Sequence, residues 1–157
     1  MEYLASLLTA IVEQMKLTPL EKLALQPGVR AVYRLTIRYH DRRAHDSVAT
    51  VIRTGAVGAT LGVVFRGRFD QKPLRFPVTQ ADYEGLVSGF QKVNFDKLGD
   101  QPKLVSYGQD LWMWERAAGT FHKSVLLGPE GADGVYWQLI RLAWTHLGEA
   151  VRLLESG

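Results

Sequence analysis

The sequence predicts an α+β domain, a mainly antiparallel sheet with helices packed on one face. Three patterns carry that expectation. Apolar residues recur at helical spacing at both ends of the chain and once in the middle. Between them the period drops to two, and one stretch has the outline of a β-hairpin.

Taken in order, Tyr3, Leu4, Leu7, Leu8, Ile11, Val12 and Met15 make one stripe of a first helix. Thr18-Pro19-Leu20-Glu21 has the form of a capping box with proline at the first helical position, so a short second helix is expected to run to about Leu25. Gln26-Pro27-Gly28 ends it. Residues 1–27 therefore form a helical extension packed on the rest of one domain spanning 1–157.

From Val32 the alternation begins. Tyr33, Leu35, Ile37 and Tyr39 interleave with Arg34, Thr36, Arg38 and His40, as in a half-buried strand. The polar run 40–46 reads as a turn, 47–54 as the returning strand, 61–69 as a third and 74–76 as a short fourth. Thr79-Gln80-Ala81-Asp82 caps a helix whose apolar face is Tyr83, Leu86, Val87, Phe90 and Val93. Residues 103–107 are apolar enough for a further strand. The hairpin covers 111–117 and 120–127 around Ala118-Gly119, and a last helix covers roughly 133–155 with Tyr136, Leu139, Ile140, Ala143, Leu147, Val151 and Leu154 as its stripe. The expected order is two helices, three or four strands, a helix, a strand at 103–107 if it forms, the hairpin and a helix.

Composition limits the chemistry. The chain has 157 residues, 46% hydrophobic and 22% charged, and no cysteine. Disulfides, thiolate metal sites and a cysteine nucleophile are thereby excluded. The apolar run 3–12 is too short to span a bilayer and lacks a basic leader, so the reading is cytoplasmic, with no membrane partner. Charge is uneven. Residues 30–75 hold ten Lys or Arg against three acids, a formal excess of +7 that leaves −4 for the remainder.

Those bases supply the candidate site: Arg34, Arg38, Arg42, Arg43, Arg53, Arg66 and Arg68. Arg34, Arg38 and His40 are expected on one face of the first strand and Arg66 and Arg68 on one face of the third. Coinciding faces would give a cationic surface for phosphate or an acidic protein. Nucleic acid is less favoured, because Tyr33 and Tyr39 alternate out of phase with the arginines and so are not placed to stack on bases.

Other constellations favour structural roles. His40-Asp41 and His45-Asp46 have mixed metal-ligand chemistry, but Arg42 and Arg43 between them raise the cost of holding a divalent ion. The glycines of 54–62 match no phosphate-loop spacing and precede a strand. No serine sits in a nucleophile elbow. No metal and no cofactor is expected, and the balance is against an enzyme. Trp112 and Trp114 share one face of the hairpin, with Leu111 and Met113 on the other. Trp137 and Trp144 widen the apolar stripe of the last helix, for burial or for an interface.

The stretch 78–154, with a capped helix ending at Asn94-Phe95, the hairpin YGQDLWMWERAAGTFHKSVLLGP and a long last helix, resembles small bacterial α+β domains of the emfourin type of metalloprotease inhibitor. The resemblance lies in element order and implies a non-enzymatic interaction or inhibitory module; it carries over no residue. Sequence reasoning therefore gives a protein-interaction or regulatory module, alone or self-associating as a dimer. Its alternative is an anionic-ligand or nucleic-acid binder working through the arginines.

Overall fold

The computed structural model describes residues 2–41, 44–55 and 58–147. Its elements are α1 (Glu2–Gln14), α2 (Leu20–Leu23), β1 (Val29–Arg38), β2 (Ser47–Thr54), β3 (Gly58–Phe65), β4 (Leu74–Pro77), α3 (Gln80–Lys92), β5 (Leu111–Ala118), β6 (Phe121–Leu127) and α4 (Gly134–His146), with three single 3-10 turns between them. This is the expected α+β order, and the strands form one antiparallel sheet in the order β4-β3-β2-β1-β5-β6.

Period-two alternation gives the sheet two different faces. Tyr33, Leu35, Ile37, Val51, Val63, Trp112, Trp114 and Val125 point to the face covered by Leu86 and Phe90 of α3 and Leu139, Ile140 and Ala143 of α4. Val48, Val64, Leu111, Met113 and Leu126 point the other way and meet Leu4, Leu8, Ile11 and Val12 of α1. A smaller cluster joins Leu20 and Ala24 to Val32 and Ala117. The helices are therefore on both faces rather than one. α3 and α4 make the expected layer, and the N-terminal extension adds a second layer opposite it. Trp114 is fully buried, and its indole N–H donates to the Leu139 carbonyl at 3.1 Å, pinning α4 to β5.

Local signals succeeded unevenly. Thr79 caps α3 as expected, accepting from the Asp82 N–H at 3.1 Å. The capping box at Thr18 does not form: Pro19 takes the cap position, and α2 is a single turn without a side-chain cap. Residues 103–107 form no strand. They belong to a loop that the Asp100 and Gln101 side chains fasten to the Leu126 and Gly128 N–H groups. β3 ends at Phe65, four residues short of the expected end, because the chain turns at Gly67 with φ +75. The glycine run 54–62 is the β2–β3 hairpin, with Thr54 opposite Gly58. Residues 148–155 of the expected last helix lie outside the described residues.

Candidate functional site

Helix α4 has three distinct flanks. Leu139, Ile140, Ala143 and Leu147 are buried against the sheet and α3. Leu142 and His146 face α3 at Gly89 and Gly85, where an added Cβ would collide with the leucine methyls and the imidazole. Two glycines four residues apart on α3 thus allow the helices to approach closely. The third flank carries Trp137 and Trp144, 42% and 50% exposed, with ring centroids 6.0 Å apart and planes at 77°. At about 100° per residue, this flank is roughly opposite the one facing α3. Arg141, also exposed, lies between the two tryptophans in sequence, four residues after one and three before the other. All three therefore share one stretch of helix surface.

Between α3 and α4 the surface opens into a groove of about 370 Å³, lined by Ser88 and Lys92 from α3 and by Gln138, Arg141, Leu142 and Thr145 from α4, together with the two glycines and His146. Among the described residues none that lines it is acidic. At one end the Asp82 carboxylate is 3.6 Å from His146 Nδ1. Arg141 belongs to both features, so an aromatic pair and a cationic groove meet on one helix.

Among the described residues the arginines named from sequence do not share one surface. Arg34 and Arg38 share one face of β1 as expected, the face toward α1 and α2, but Arg34 is only 3% exposed. Its Nη1 donates to the Thr18 carbonyl at 2.9 Å and its Nε to Thr50 Oγ1 at 3.0 Å. Burial lowers its affinity for a proton, opposed by Glu115 and Glu21. Arg38 is half-buried, with one guanidinium nitrogen enclosed and making no hydrogen bond among the described residues. Arg53 points to the opposite face, donating to Gln80 and stacking 4.8 Å over Tyr83. Arg66 and Arg68 follow β3 instead of lying on it: Arg66 pairs with Asp46 at 3.3 Å and Arg68 lies over Phe69. Arg42 and Arg43 lie outside the described residues.

The histidines divide similarly. His45 Nδ1 meets the Arg66 carbonyl at 2.8 Å, whereas His40 Nδ1 meets the buried Asp110 carboxylate at 2.8 Å. The two HD pairs therefore have different partners. The residues whose ligand atoms do converge are His40, Asp110 and Glu130, all within 4.8 Å. They are already linked, since Asp110 Oδ1 also accepts from the His40 N–H and Glu130 accepts from the Asp110 N–H. Such a pair fixes the imidazole's orientation and ties the end of β1 to the start of β5.

No protein-family model and no curated protein matches the chain. What the site can do thus rests on its own geometry. A third cluster lies under α2, where His122 Nε2 is 2.8 Å from buried Glu115 and 3.9 Å from Glu21. The hydrogen bond to Glu115 raises the His122 pKa against the opposing effect of burial. On the other face Tyr33 is pushed up to about 12, chiefly by burial.

Period alone puts Trp137 and Trp144 beside the apolar stripe, for burial or for an interface, and does not reveal the groove. The available signal was the Gly85/Gly89 pair. Such a pair marks where a helix can approach α3 closely, but not which helix does so.

Among the described residues no helix is long and apolar enough to cross a membrane.

Proposed function

We propose that this protein is a non-enzymatic interaction module, with a regulatory or inhibitory role, that docks a protein partner on α4. The observation that carries the reading is the exposed Trp137–Trp144 pair. Tryptophan and arginine dominate binding energy at protein interfaces, and an exposed edge-to-face tryptophan pair buries much apolar area once covered. The resemblance of the 78–154 sequence pattern to emfourin-type domains points to the same class. The alternative, an anionic ligand held by the arginines, has less support, because Arg34 and Arg53 are on opposite faces and Arg34 is committed to the Thr18 carbonyl.

The test compares the wild-type chain with a Trp137→Ser/Trp144→Ser double variant. Both residues are exposed, so the variant should keep the wild-type circular dichroism and melting curve. A protein retained by the wild type would be purified and titrated against both forms. Saturable binding to the wild type, weakened at least about tenfold in the variant, is the expected result. Equal affinity of the two forms would overturn the reading.

A further inference from the structure

We infer that the partner segment docking on α4 is acidic and amphipathic, placing apolar side chains on Trp137 and Trp144 and carboxylates over Arg141 and Lys92. This rests on the interaction reading and adds the chemistry of the occupant.

Charge complementarity decides between occupants. Within α4 Arg141 is the only Lys, Arg, Asp or Glu. Lys92 closes the last turn of α3 and lines the same groove. Among the described residues the groove contributes no carboxylate of its own, and both cations are exposed to solvent.

Two copies related by a twofold axis would bring like surfaces together. With antiparallel α4 helices packed on their tryptophan flanks, Arg141 lies midway between the tryptophans and so falls near its own symmetry mate. Like charges juxtaposed in a desolvated interface are costly. An acidic segment reverses that term: each carboxylate that reaches Arg141 gains a charge-assisted, bidentate hydrogen bond.

The geometry also sets the spacing. Trp137 and Trp144 are two turns apart on one flank, and Arg141 and the groove lie next to them around the helix. A helical or extended segment crossing α4 obliquely meets the aromatic pair first and the cations second. Its apolar and acidic positions must therefore be segregated to two sides.

The experiment uses three fluorescein-labelled synthetic amphipathic peptides with the same leucine-rich face and with glutamate, glutamine or lysine opposite it. They are titrated by anisotropy into the whole chain. The glutamate peptide should bind most tightly, with affinity falling as salt is added. Arg141→Glu should weaken it at least about tenfold and improve the lysine peptide. Trp137→Ser/Trp144→Ser should weaken all three.

Each remaining outcome counts against the proposal. If the three peptides bind equally, in a tryptophan-dependent way, the acidic class is overturned and the interaction reading survives. If the glutamate peptide binds identically to wild type and to the tryptophan variant, both are overturned. A wild-type dimer in sedimentation that Trp144→Ser dissociates assigns the surface to a second copy and overturns the acidic segment.

Discussion

The Arg34 guanidinium donates to the Thr18 carbonyl across 2.9 Å, tying the link between α1 and α2 to the middle strand of the sheet. Glu115 is directly opposite Arg34 in the β1–β5 register and is itself buried. Replacing Arg34 by methionine keeps the bulk but removes its hydrogen bonds to Thr18 and Thr50 and the favourable field it sets up at buried Glu115. We expect a loss of about 3 kcal/mol in urea denaturation. Early proteolytic cleavage near Lys16 and Lys22 should accompany it. Adding Glu115→Leu to the Arg34 change should recover part of the loss, because the buried charge that has lost the field of Arg34 is then gone.

The His122–Glu115 contact makes stability depend on pH in a definite direction. The pKa of His122 is raised in the folded state, by the Glu115 hydrogen bond first. Folding therefore favours the protonated ring. The stabilisation is complete below the unfolded histidine value, about 6.5, and fades as pH rises through the folded value. The urea midpoint of wild type minus that of His122→Gln should be larger at pH 5.5 than at pH 9, both test conditions set around that titration. A difference that stays flat or grows with pH would contradict the assignment.

Gly89 is constrained by Leu142. An alanine gains about 1 kcal/mol in helix propensity but puts its methyl into the leucine side chain, and overpacking of this kind costs about 1–3 kcal/mol. Gly89→Ala should therefore be destabilising by about 1 kcal/mol in thermal or urea unfolding. Leu142→Ala in the same chain should remove the clash, making the alanine neutral or favourable at position 89. Additive effects in this double-mutant cycle would exclude the contact.

Much of the fold could be read from the chain because apolar period reports local geometry directly. The alternation from Tyr33 to Ile37 gave β1, and the Thr79 cap gave the start of α3. What could not be read depended on which elements meet. The stripe of α1 is the same whether it covers a sheet face already holding helices or the empty one. Trp137 and Trp144 lie next to the core stripe by period alone, and only the position of α3 leaves them on the open flank. The arginines show the same limit. Arg34 and Arg38 were correctly put on one face, but alternation within a strand says nothing of the neighbouring layer, which turned Arg34 into a buried brace. His40 found Asp110, seventy positions away in sequence, a pairing that no local spacing announces.

The strand order β4-β3-β2-β1-β5-β6 divides the sheet into two pieces that are each continuous in sequence, a four-stranded meander and a hairpin, joined only along β1 and β5. The exposed loop carrying Val105 and Tyr107 lies between them in the chain. The molecule is thus suited to fragment complementation. Two polypeptides divided near Gly108 would each retain their own local pairings and could zip together across a single antiparallel seam, with Trp114 and the helices as the adhesive on either side.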